Sequence, residues 1–147
     1  MRILVDADAC PVKDEIYKVA WRRGVPVTVV SNQRLRVPDH PLIERVVVVP
    51  DRFDAADDWI VEAADARTLV VTGDILLADR CLKQEAVVIG HNGKPFTTAS
   101  IGGAIATRAI MADLRAGVGV TGGPVPFAKA DRSRFLQALD AALVKLG

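Results

Sequence analysis

Four aspartates stand where this chain passes from apolar to polar. Asp6 and Asp8 follow Ile3-Leu4-Val5, Asp57 precedes the apolar positions Ile60 and Val61, and Asp74 follows Leu69-Val70-Val71. Carboxylates brought to one place repel, and each raises the pKa of the others unless a cation or a proton intervenes. A set of oxygen donors suits Mg²⁺ or Mn²⁺ rather than zinc. Such an ion polarises a phosphoryl oxygen and lowers the pKa of a bound water, which is the chemistry of phosphate-ester hydrolysis. The competing reading of any single aspartate is a helix cap or a solvated loop residue; convergence of all four on one edge favours the metal.

Whether they converge depends on the elements that carry them. Arg2 to Asp6 reads as a strand, and Val12, Ile16, Val19 and Ala20 recur at helical spacing up to Gly24. Val25 to Val30, Arg45 to Val49, Arg67 to Thr72 and Ala86 to Ile89 are apolar runs without polar alternation, as expected of strands covered on both faces. Helices are expected over Ala55 to Ala66, Ile75 to Gln84 and Ile101 to Leu114, with a last one starting at Asp131. His91-Asn92-Gly93-Lys94-Pro95 reads as a turn, and Gly117 to Pro126 as a Gly- and Pro-rich connection. Alternating strands and helices predict an α/β/α sandwich around a mainly parallel sheet of five strands, Rossmann-like in plan. In a doubly wound 3-2-1-4-5 order the first and fourth strands are neighbours, and ligands bind outside their carboxyl ends. Asp6 and Asp74 end those two strands, and Asp8 and Asp57 lie in connections at the same edge.

The 147 residues, half of them apolar, fit one domain with one core. A net charge of +1 neither demands nor excludes a polyanionic partner. Two cysteines and two histidines are too few for a disulfide scaffold or a recognisable zinc cluster, and a reducing cytoplasm is the simplest compartment. The amino terminus shows no signal-peptide pattern, and no apolar run reaches membrane-spanning length, so no membrane partner is expected. Oligomeric state is not legible.

Other residues invite chemistry less strongly. Ser31 and Asn32 follow the second strand and could hydrogen-bond a phosphate, although turn formation also explains them. Arg34 and Arg36, with Arg108, Arg115, Lys129, Arg132 and Arg134, could line a path for a nucleic-acid backbone; singly, each reads as a surface charge. Asp79 stands one helical turn or so beyond Asp74 and can simply balance Arg80 or Lys83. Cys10 lies near a helix start that would lower a thiol pKa, but no histidine partner is in sight, so a buried small side chain is the expectation. Trp21 and Trp59 read as packing residues.

Val5-Asp6-Ala7-Asp8-Ala9-Cys10-Pro11, Ser31-Asn32-Gln33-Arg34-Leu35-Arg36-Val37-Pro38 and Val71-Thr72-Gly73-Asp74-Ile75 resemble the YaiI/YqxD family of uncharacterised bacterial proteins. Thr121-Gly122-Gly123-Pro124 and Asp131-Arg132 match its pattern too, so the resemblance spans nearly the whole chain. In its acidic residues that family is similar to PIN-like and NYN-like nuclease domains, which cleave RNA with Mg²⁺ or Mn²⁺. By this resemblance Asp6 matches the acid after the first strand, Asp57 the acid of the helix-opening D-x-x-I pattern and Asp74 the acid of the T-x-D turn. Asp8 is an additional candidate. The implied activity is hydrolysis of RNA phosphodiesters by a metal-activated water.

The same residues also resemble the haloacid-dehalogenase phosphatase pattern: Asp6-Ala7-Asp8, Ser31-Asn32, then Gly73-Asp74 with Asp79. There Asp6 would be a covalent nucleophile and Asp8 the general acid. That pattern wants a lysine before its last motif, and none occurs from Val19 through Ala78. The first loop also has Ala9-Cys10-Pro11 where Gly-Thr is usual. A third reading is a non-catalytic RNA-binding domain that keeps the fold. The primary expectation is the PIN-like nuclease, with Asp6, Asp8, Asp57 and Asp74 as ligands and Ser31, Asn32, Arg34 and Arg36 on the substrate.

Overall fold

The computed structural model describes residues 1–7, 10–32, 36–47, 55–103, 105–106 and 129–146. Strands β1 (Arg2–Asp6), β2 (Val27–Ser31), β3 (Ile43–Val47), β4 (Thr68–Val71) and β5 (Val87–Ile89) are parallel and alternate with helices α1 (Lys13–Arg23), α2 (Ala55–Ala63) and α3 (Ile75–Leu82). A short β6 (Pro95–Phe96), helix α4 (residues 98–103 and 105–106) and helix α5 (Lys129–Leu146) complete the described elements. The sheet order is β3-β2-β1-β4-β5-β6, so β1 and β4 are neighbours. This is the three-layer α/β plan expected from the sequence.

Apolar residues on both faces of each central strand explain the three layers. Ile3, Val5, Val27, Val29, Leu69 and Val71 pack under α1 and α5, while Leu4, Val30, Val70 and Val88 pack under α2 and α3. Period-two alternation therefore assigns a face to each residue at the strand ends. Asp6 continues the Leu4 side, toward α2 and α3, with Val30 its register partner on β2.

Local sequence sets the ends. α1 stops at Gly24, whose φ of +66° is the left-handed conformation that glycine takes without a Cβ penalty. Asp74 is the N-cap of α3, accepting from the amides of Leu76 at 2.9 Å and Leu77 at 3.3 Å. α4 starts at 98 rather than 101, because Thr97 caps it: the Ser100 amide donates to Thr97 Oγ1 at 3.1 Å. The remainder of the expected Ile101 to Leu114 helix, and the Gly117 to Pro126 connection, lie outside the described residues.

The sheet has one strand more than the five expected. The turn at His91 to Lys94 folds back as β6, antiparallel to β5, with the Gly90 amide donating to the Lys94 carbonyl at 3.0 Å. Pro95 is tolerated because β6 ends the strand order. β2 begins two residues later, and β3 two residues earlier, than the apolar runs that announced them. At β3 the chain turns just before pairing, the Ile43 amide donating to the His40 carbonyl at 3.0 Å. Among the described residues no helix is long and apolar enough to cross a membrane.

Candidate functional site

The carboxyl ends of β1 and β4 meet through one hydroxyl. Thr72 Oγ1 donates to Asp6 Oδ2 at 2.8 Å and accepts from the Asp74 amide at 3.0 Å. The register requires this: Val5 pairs with Val71, so Asp6 and Thr72 are next along the two strands. Thr72 is fully buried, which makes the link rigid, and Asp74 is held from the other side by its capping bonds to α3.

Asp57 opens α2 on the same face of the sheet. Its charge and that of Asp6 both reach Cys81, a fully buried thiol on α3 that burial, first, and then these two carboxylates push up to about 12. Asp6 and Asp57 thus share a neighbourhood around α3, and Asp74 joins it through Thr72. Two nearby acids in the chain have other partners. Asp58 takes Arg80 at 2.7 Å, and Asp79 takes Lys83 at 3.2 Å, the i,i+4 balance that the sequence suggested.

Asp8 and Arg34 lie outside the described residues. Ser31 is fully buried, and alternation from Val29 puts it on the α1 and α5 face, across the sheet from Asp6. Asn32 follows it at the same edge, half-buried, and Arg36 is exposed in the chain leading to β3. Arg132 and Arg134 have partners within α5 and α1: Arg134 pairs with Asp131, and Arg132 lies against Pro11 and Glu15. Cys10 is buried, and its thiol is pushed up to about 11 by burial, so it is an inert core thiol. Trp59 packs as expected; Trp21 is 43% exposed, its ring stacked between Tyr17 and His40.

Among the described residues, no three His, Cys, Asp or Glu side chains are gathered closely enough to form a ready metal cage. The donor chemistry still fits Mg²⁺ or Mn²⁺. Mg²⁺ keeps several waters and is held by one or two carboxylates together with substrate phosphates, so a preformed cage of three is not required.

Two residues the sequence reading passed over take part in this edge. Thr72 was visible only as a letter of a motif. His91, beyond the end of β5, lies so close to Gly73 that a Cβ there would stand 3.0 Å from His91 Cε1. The rule that placed Asp6 and Asp74, a polar residue just past a strand's carboxyl end, would have found His91 as well. Its Nε2 is buried and has no hydrogen-bond partner among the described residues.

Burial holds the His91 imidazole below its ordinary value. The unfolded chain therefore takes up the proton first as pH falls below about 6.5, and protons favour unfolding. The urea midpoint should fall from pH 7 toward pH 5.5, and His91→Gln should flatten that slope, by up to about 1.4 kcal/mol per pH unit. A slope identical in both proteins would remove His91 from the balance.

Thr72→Val keeps the volume and deletes the hydroxyl, leaving the half-buried Asp74 amide without its acceptor at a cost of about 1 kcal/mol. Thr72→Ser should restore the stability, read by urea unfolding.

A doubly wound α/β sandwich with carboxylates at the carboxyl ends of its two central neighbours is the class that this fold and edge define. The chain belongs to the YaiI/YqxD family, which residues 4–145 match under the description "Uncharacterized BCR, YaiI/YqxD family". The UPF0178 protein of Sphingopyxis alaskensis is 77% identical over 145 residues, covering 98% of this chain and 94% of that protein. Those of Nitrobacter winogradskyi and of Jannaschia sp. are each 58% identical, covering 99% and 98% of this chain and 92% and 93% of theirs. No solved structure matches the chain.

Proposed function

We propose that this protein is a divalent-metal-dependent nuclease that hydrolyses RNA phosphodiesters at the carboxyl edge of β1 and β4. The observation that carries this reading is the Thr72 bridge, which fixes Asp6 against the Asp74 turn on the face where Asp57 begins α2. Asp6, Asp57 and Asp74 are the principal ligands, and Asp8 assists. A Mg²⁺ or Mn²⁺ bound there supplies polarisation of the phosphoryl oxygen and acidification of a water nucleophile.

The chain's own groups have distinct parts. The Thr72 hydroxyl spends its proton on Asp6 Oδ2, which orients that carboxylate. The capping bonds use Asp74 Oδ1, and no partner among the described residues uses its Oδ2. Asn32 and Arg36, with Arg34, would meet the sugar-phosphate backbone from the β2 side. Ser31, buried across the sheet, supports the strand end from below.

The test is Mn²⁺-dependent cleavage of labelled single-stranded RNA beside p-nitrophenyl phosphate, for the wild type, Asp6→Asn and Asp74→Asn. Cleavage of RNA that both substitutions abolish is the expected result. Turnover of the small phosphate alone, with a covalent adduct on Asp6, would assign a phosphatase of haloacid-dehalogenase type instead. RNA binding without turnover of either substrate would assign a binding domain.

A further inference from the structure

Helix α5 comes last in the chain, yet its first turn stands at the acidic edge. Arg132 Nη1 donates to the Pro11 carbonyl at 2.7 Å and lies 3.4 Å from Glu15 Oε2, both at the start of α1. Farther along, Asp140 accepts from Arg23 Nε at 2.6 Å and Arg22 Nη2 at 3.1 Å, at the end of α1. The two helices therefore run parallel, and both begin where β1 ends.

The pair at the start of α1 differs from the one at its end. Asp140 and its arginines are exposed, and such pairs add little. Glu15 is only 7% exposed and needs a cation, which Arg132, its side chain 40% exposed, supplies from the helix surface. A guanidinium that also holds a backbone carbonyl fixes the main chain itself, which a pair between two side chains does not do. The carbonyl it holds is that of Pro11, five residues beyond Asp6 in the segment that connects β1 to α1.

The same turns of α5 brace the far side of the edge. Gly93 packs against them so closely that a Cβ would stand 3.0 Å from Ala138 Cβ and 3.2 Å from the Arg134 carbonyl. Gly93 shares its turn with His91, which rests on Gly73 beside Asp74, and Thr72 leads back to Asp6. Contacts thus run in a closed circuit: Asp6, Thr72, Gly73, His91, Gly93, α5, Arg132, Pro11 and back to β1.

We propose that Arg132 is a positioning residue of the acidic edge, holding from α5 the Pro11 backbone that leads into α1, so that the edge keeps the conformation that binds metal and substrate. The assignment of metal and substrate rests on the function proposed above; the clamp itself does not.

The two cysteines report on it. Cys10 adjoins Pro11 on the α1 face and Cys81 lies under α3 on the other, both buried. In native buffer, peptide-resolved alkylation should show Cys10 reacting at least about tenfold faster in Arg132→Gln than in the wild type, with Cys81 unchanged, as local opening requires. Arg132→Lys should recover most of the protection. Should Arg132→Gln fail to fold, the double variant Glu15→Gln/Arg132→Gln carries no buried charge and gives the same comparison. Equal acceleration of both cysteines, or none of Cys10, would overturn the proposal. In RNA cleavage the Mn²⁺ concentration for half-saturation should rise about tenfold in Arg132→Gln. A wild type that cleaves no RNA would sink the nuclease reading and leave the cysteine ratio to judge the clamp.

Discussion

Asp74→Asn should leave the protein as stable as the wild type and reduce Mn²⁺-dependent RNA cleavage by at least about a hundredfold, beyond the range expected for a supporting residue alone. The reason lies in the two duties of this side chain. As the N-cap of α3 it accepts from the amides of Leu76 and Leu77, and an asparagine oxygen caps a helix as well as an aspartate oxygen does. As a metal ligand it needs its negative charge, which asparagine lacks. Asp74→Ala loses both, and should add a stability cost of about 1 kcal/mol, visible as a lower urea midpoint. An Asn variant that kept half of the wild-type activity would reduce Asp74 to a cap and nothing more.

Phe135→Ala should be the most destabilising single substitution among those considered, at about 3–5 kcal/mol. Phe135 is the largest fully buried side chain among the described residues, and it joins α5 to the core cluster that also contains Ile16, Val19, Val5 and Val71 of α1, β1 and β4. Removing its ring leaves a cavity between a helix and a sheet, where neither side can close in fully. Against a total stability of about 5–15 kcal/mol this is a large fraction. Val144 on the same helix is 57% exposed, and Val144→Ala should change stability by less than about 0.5 kcal/mol. Urea titrations of the two variants give the comparison; equal small effects would mean that α5 is not docked through Phe135. Because α5 carries Arg132, loosening it should also weaken the acidic edge.

The central part of this fold was legible because the sheet's interior writes itself into sequence. Runs of β-branched residues without polar alternation read as strands covered on both faces, their alternation with helices implied a mainly parallel sheet, and the doubly wound order expected of it puts β1 beside β4, as the structure has them. From that order alone Asp6 and Asp74 are neighbours, and the Thr72 bridge between them follows the register. β6 was not legible: two residues cannot display a period, and Pro95 argues locally for a turn. The beginnings of β2 and β3 were misplaced because composition marks apolar residues, whereas pairing starts where the chain reaches its neighbour.

The side chains follow the same division. Asp6 and Asp74 could be placed because each ends a strand. Ser31 could have been separated from them by carrying the alternation of β2 one step past Val29, which puts it on the opposite face. His91, just past the end of β5, could have been found by the rule that placed Asp6 and Asp74; Arg132 and Glu15 could not, since their significance lies in a contact across a long stretch of chain. A surface arginine and a clamp arginine look alike in one dimension.

Proton linkage and metal binding pull the edge in compatible directions. Burial disfavours the His91 cation, so this imidazole brings less positive charge to the edge than an exposed histidine would. Cys10 and Cys81, both pushed well above the ordinary thiol value, offer no thiolate to draw a softer metal into the site.

The most direct measurement is a Mn²⁺ titration followed by electron paramagnetic resonance, in which bound ion loses the sharp signal of the free ion. The wild type should bind Mn²⁺ saturably, with Mg²⁺ competing, and Asp6→Asn should lose that binding while its circular dichroism spectrum and urea midpoint stay near those of the wild type. Wild-type protein that leaves the free-ion signal untouched, or an Asp6→Asn variant that binds as well as the wild type, would contradict a metal centre at the carboxyl edge of β1 and β4.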